Sequence, residues 1–176
     1  MAAGAPLQDE PDDNYMLRDD FNRGIAALKD FGLRYDTLIF ERHLPQSIRL
    51  VDQHPRQTFI LDHVAKPRIK AGELAPWREN VREFARRPNV YCKISGMVTE
   101  ADWKTWTPSQ LRPYLNVVLE SFGPKRLMFG SDWPVCLVAC DYQRWHRVVA
   151  DFIAPLSKSE QAQIMGGTAA EAYGLQ

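Results

Sequence analysis

Two short segments place reactive side chains where an apolar run stops: Leu61-Asp62-His63 and Gly130-Ser131-Asp132. In a dry pocket the Asp132 carboxylate can act as a general base, with a pKa tuned by its neighbours. The His63 imidazole can bind a divalent metal through one nitrogen, or donate to a substrate carbonyl. Lys66 and Lys93 can hold an anionic or polyhydroxylated substrate, and Trp133 can wall a sugar ring. Each also has a plain structural role open to it. Asp132 can cap the turn before Trp133-Pro134, and His63 can be hydrogen-bonded in a loop. The two lysines can be surface cations with snorkelled stems, and Trp133 can be buried packing. His43, His54 and His146 read as structural. Trp103 and Trp106 precede a helix, where they either line a mouth or cover the core. A catalytic zinc takes about three protein ligands and a water; His63 and Asp132 supply two at most.

These residues need elements to position them, and the pattern supplies an alternation. Asp19 or Asp20 is expected to cap a helix from Phe21 to Phe31 that ends at Gly32. Pro45 opens a second helix, and Pro76 a third with Trp77, Val81, Phe84 and Ala85 on one face. Thr107-Pro108-Ser109-Gln110 forms a capping box before a helix carrying Leu111, Leu115, Val118, Leu119 and Phe122. Two more helices are expected near Tyr142 to Ile153 and Ser159 to Met165, with Ser157 and Glu160 as a second box. Between them, Tyr35–Phe40, Gln57–Asp62, Asn89–Ile94 and Arg126–Gly130 read as strands. Strands separated by helices predict an α/β fold with a parallel sheet. Periodicity leaves two architectures open, an arc of a (β/α) barrel and a small open sheet with helices on both faces.

Composition narrows the function classes. The chain has 176 residues, 45% hydrophobic and 25% charged, with 22 basic and 22 acidic side chains. Zero net charge gives no footing for a nucleic-acid partner, and no apolar run approaches a membrane span. The first ten residues lack a basic-then-apolar pattern, so no signal peptide is expected. Cys92, Cys136 and Cys140 are read as reduced thiols of a cytoplasmic protein. No phosphate-binding glycine loop and no G-x-S-x-G elbow occurs, which leaves a nucleotide module or a serine hydrolase unsupported.

Several segments are more specific than the pattern. Leu61-Asp-His-Val-Ala-Lys-Pro67, Asn89-Val-Tyr-Cys-Lys-Ile-Ser-Gly96 and Arg126-Leu-Met-Phe-Gly-Ser-Asp-Trp-Pro134 stand in order along the chain. Gln8-Asp-Glu-Pro-Asp12 precedes them, and Gly166-Gly-Thr-Ala-Ala170 with Tyr173-Gly-Leu175 follows. Together they resemble amidohydrolase family 2, in particular its lactonase branch. The resemblance implies a TIM-type (β/α) barrel and hydrolysis at a carbonyl centre, with a small lactone of a sugar acid as substrate. It implies that Asp132 activates water or moves a proton, and that His63 polarises the carbonyl oxygen. It allows one divalent ion, Zn or Mn, at His63 and Asp132, or none. The family's first strand carries a His-x-His or His-x-Trp motif that is absent here, since no two of the four histidines are two apart. Four strands, against the eight of a closed barrel, match the family's fifth to eighth. Residues 1–176 are therefore expected to form one half-barrel domain lacking its N-terminal half. A non-catalytic association module is the competing reading. Such a half is expected to expose two sheet edges and an apolar face, which a homodimer can cover.

Overall fold

The computed structural model describes residues 12–175. The Gln8–Asp12 segment, apart from Asp12, lies outside the described residues. Four strands, β1 (Tyr35–Thr37), β2 (Phe59–Leu61), β3 (Val90–Ile94) and β4 (Leu127–Phe129), form one parallel sheet in the order β1-β2-β3-β4. Every strand pairs with its neighbour in sequence, and the order never reverses. That is the winding of a (β/α) barrel arc; a doubly wound sheet has a switch point where the order turns back. The open-sheet alternative is set aside on this ground. The strands are shorter than their apolar runs: Leu38–Phe40 and Asp62 have already left the ladder.

The helices are α1 (Asp19–Leu28), α2 (Leu44–Gln53), α3 (Trp77–Phe84), α4 (Pro108–Phe122), α5 (Tyr142–Ile153), α6 (Lys158–Ala162) and α7 (Thr168–Tyr173). The stripes expected on α3 and α4 are the buried ones. Val81, Phe84, Leu111, Leu115 and Val118 join Phe59, Leu61, Val90, Cys92 and Ile94 from the outward face of the sheet in one core. Burying each large apolar side chain contributes about 1.5–3 kcal/mol, so this layer carries most of the stability. Both capping boxes form: the Gln110 side chain accepts from Thr107 N at 2.8 Å, and that of Glu160 from Ser157 N at 2.9 Å. The cap expected on α1 is corrected. Arg18 occupies the N-cap, and Asp19 and Asp20 lie in the first turn, with Asp20 paired to Arg18. Carboxylates there still complement the helix dipole. Gly32, left-handed at φ 65°, ends the turn that follows α1.

The inner face of the sheet departs from expectation. Alternation along the strands puts Asp36, Ile60, Tyr91, Lys93 and Met128 on it. It is not a bare apolar surface. Ile60 and Met128 are buried in a second cluster with Ala172, flanked by Tyr91, Ala169 and Tyr173, so α7 covers this part of the face. Arg34 Nε donates to Ala172 O at 2.7 Å, Tyr173 Oη to Asp36 Oδ1 at 2.7 Å and Thr168 Oγ1 to Pro124 O at 3.1 Å. Among the described residues, β1 and β4 each keep one unpaired edge. Trp133, Val135, Leu137 and Val138, just after β4, are exposed. The three cysteines are free, two buried and Cys140 half-buried. No helix among the described residues is long and apolar enough to cross a membrane.

Candidate active site

The segments leaving β2, β3 and β4 converge at the C-terminal end of the sheet. After β2 comes a turn of unusual hand. His63 (φ 50°), Val64 (φ 48°), Ala65 (φ 60°) and Lys66 (φ 47°) are all left-handed, and none is glycine. Such conformations cost of order 1–3 kcal/mol each and persist only where surroundings enforce them. Val64 and Ala65 are fully buried, Trp77 Nε1 donates to Val64 O at 2.7 Å, and Lys66 N to His63 O at 2.8 Å. Trp77→Phe removes the indole donor and part of the ring. It is expected to lower unfolding free energy by about 1–3 kcal/mol in chemical denaturation. An unchanged midpoint would mean that Trp77 does not hold the turn.

Ser95 and Gly96 follow β3. Ser95 is buried, and its Oγ is hydrogen-bonded to His63 Nδ1 at 2.8 Å. Gly96 has φ 61°, and a Cβ there would stand 2.6 Å from His63 Cγ. After β4, Asp132 is also left-handed (φ 54°), its carbonyl receives Cys136 N at 2.8 Å, and Trp145 Nε1 donates to Gly130 O at 2.8 Å. The outcome is that Asp132 Oδ1 lies 3.6 Å from His63 Nε2, with these side chains 13% and 18% exposed. That is beyond a direct hydrogen bond. Burial pushes the Asp132 carboxyl above the ordinary range, with His63 and Lys66 pulling the other way. Burial likewise pushes the His63 imidazole down, against the pull of Asp132 and Asp62. Above that lowered value His63 is neutral.

The other expected site residues fall in distinct places. Lys66 lies close enough to oppose the rise of Asp132 and to add to the fall of His63, and its Nζ sits 4.9 Å from the centroid of the Phe40 ring. Lys93 Nζ is engaged by carboxylates, 2.6 Å from Asp62 Oδ1 and 3.1 Å from Asp36 Oδ2. Burial works against its charge, yet Asp62, Tyr173 and Asp36 together hold its pKa well above that of an ordinary lysine. Trp133 is not buried packing; it is 64% exposed beside the site. Trp106 covers the core and donates to Ala139 O, whereas Trp103 is partly exposed. His43, His54 and His146 keep structural partners in Asp13, Asn22 and Tyr142.

Sequence reasoning missed two acids here. Asp62 was visible only as His63's neighbour. Glu100 ends a short turn after β3; burial raises its pKa, Lys66 opposes the shift, and Glu41 and Asp132 reinforce it. Its one signal was an acid shortly after a strand end.

A metal can be tested against these donors. Among the described residues no group of three or more His, Cys, Asp or Glu is placed to hold an ion. His63 Nε2 and Asp132 Oδ1 are two donors where a tetrahedral site takes about three from protein, so the described residues alone do not fit one.

Parallel βα units with an Asp–His pair at their C-terminal ends have the arrangement of a (β/α) barrel and its site. The chain belongs to the amidohydrolase family, whose model matches residues 2–175. It is 43% identical over 180 residues to an L-fucono-1,5-lactonase of Burkholderia multivorans, covering 96% of this chain and 61% of the relative. It is 36% identical over 176 residues to an L-fucono-1,5-lactonase of Burkholderia ambifaria, covering 95% and 59%. A crystal structure of an amidohydrolase from Burkholderia multivorans with bound zinc superposes with a TM-score of 0.92 at 41% identity, covering 98% of this chain and 63% of that one. The chain thus spans about three-fifths of the length of the curated relatives it matches.

Proposed function

We propose that residues 1–176 form one domain supplying the second half of a hydrolytic site that opens small lactones of sugar acids. The observation that carries this is the Asp132–His63 pair, held 3.6 Å apart in a partly closed site. The lactonase names of the two Burkholderia relatives support the substrate class.

In this reading Asp132 takes a proton from water as its oxygen attacks the carbonyl carbon. Ser95 donates to His63 Nδ1, which leaves the proton on Nε2 to donate to the carbonyl oxygen as charge develops there. The ring C–O bond then breaks, and Asp132 returns its proton to the departing alkoxide, giving the open hydroxy acid. Lys66, under Phe40 and beside Asp132, is placed to meet substrate oxygens, and Trp133 to wall the sugar ring. If a divalent ion were bound, His63 would have to hold it through an unprotonated Nε2, with Asp132 as a second ligand and the others coming from outside the described residues, and the ion would replace the imidazole as the group that polarises the carbonyl. The edges of β1 and β4, unpaired among the described residues, and the exposed side chains of Trp133, Val135, Leu137 and Val138 support pairing with further βα units or with a second copy.

The test is hydrolysis of a panel of sugar-acid lactones, including L-fucono-1,5-lactone, by the purified chain with a pH indicator, with and without added Zn²⁺ or Mn²⁺. No turnover by a folded chain would favour the non-catalytic module. The pH profile is a further expected result. Asp132 acts deprotonated and its pKa is raised, so activity should fall with acidification at a pH above that of an ordinary carboxylate. A profile flat down to the usual carboxylate range would assign the base elsewhere.

A further inference from the structure

We propose that Lys93 is a positioning residue, which clamps Asp62 and through it fixes the left-handed turn that carries His63. The functional meaning of this inference rests on the reading of His63 given above, but its test does not require turnover. Lys93 stands on the inner face of β3, and the register that pairs Leu61 with Cys92, carried one residue further, brings it level with Asp62. Its ammonium is bracketed on two sides, 2.6 Å from Asp62 and 3.1 Å from Asp36, and the ring of Tyr173 lies 5.6 Å away. Tyr173 in turn holds Asp36 at 2.7 Å. Two carboxylates and a ring occupy this one cation, which leaves it little capacity for an anionic substrate.

Asp62 is where the chain changes hand. It precedes four left-handed residues, and its side chain is 12% exposed. A nearly buried carboxylate without its cation costs far more than the paired one contributes, so the ion pair fixes the side from which the turn starts. Trp77 pins the turn's far side through Val64 O. His63 lies between the two fixings, and Ser95 sets its ring.

The experiment is a two-residue cycle read at His63 by NMR of the imidazole Cε1–Hε1 signals, assigned with His63→Gln, at one fixed pH. The variants are Lys93→Met, Asp62→Asn and the double change. The expected result is that each single variant shifts or splits the His63 signal, while those of His43, His54 and His146 stay in place. The double variant should show no larger shift than either single one, because all three break the same link. Additive shifts would overturn the inference, since the residues would then act separately. A folded Asp62→Asn protein with an unmoved His63 signal would overturn it too. That variant decides the matter if Lys93→Met fails to fold, because an amide of the same shape leaves no new unpaired charge.

Discussion

Asp132→Asn should reduce lactone hydrolysis by about 100- to 10,000-fold, the usual contribution of a positioned general base. The expected loss lies in turnover and not in folding. Asp132 sits at φ 54°, and asparagine tolerates the left-handed region as well as aspartate does. Among the described residues the carboxylate has no ion pair closer than the 3.6 Å to His63 Nε2. Removing a charge that burial already disfavours should leave the melting temperature near that of the parent, or raise it slightly. Initial rates and thermal melts on the same preparations give both quantities. Equal rates would remove Asp132 from the reaction. A large fall in melting temperature would make its role structural.

The largest expected effect on stability belongs to Gly96→Ala. Two costs combine there. At φ 61° an L-residue with a side chain pays roughly 1–2 kcal/mol. The new methyl would also stand 2.6 Å from His63 Cγ and 2.7 Å from its Nδ1, so the ring must move or the backbone must yield, at about 1–3 kcal/mol. The sum is about 2–5 kcal/mol. Gly32→Ala separates the two costs, because Gly32 has nearly the same φ, 65°, with nothing within 4 Å of an added Cβ. The difference between the two variants in denaturant unfolding measures the contact with His63. Equal losses would show that the ring at position 63 relaxes freely, and would weaken the claim that it is held.

Much of this architecture could be read before any coordinates. Caps and stripes are local chemistry, so the Thr107–Gln110 and Ser157–Glu160 boxes and the whole of α5 fell where the sequence placed them. The choice between barrel arc and open sheet was legible only in the motif segments around His63, Lys93 and Asp132, and not in the pattern of strands and helices. It depends on which strands are neighbours, and no periodicity encodes that. The hand of the His63–Lys66 turn was hidden for a different reason. Val64 and Ala65 have no preference for φ near 50°; the burial of their side chains and a bond from Trp77, thirteen positions on, impose it. The contact of His63 with Ser95 bridges 32 positions and was equally invisible. Lys93 and Ser95 were expected to share a side of their strand, but that alternation says nothing of which groups wait opposite them. The inner face drew the plainest correction, because a period of two marks a face without saying what covers it.

The covering of that face by α7 sets an order for folding during synthesis. Arg34 and Asp36, at the start of the sheet, take their partners from Ala172 and Tyr173, 138 and 137 positions later. Contacts of such span close late, because the loop entropy must be overcome before they contribute. A nascent chain still lacking residues 168–173 would have all four strands while Ile60 and Met128 remained open to water. That intermediate is the state in which chaperones, proteases and other nascent copies would meet an unfinished apolar surface.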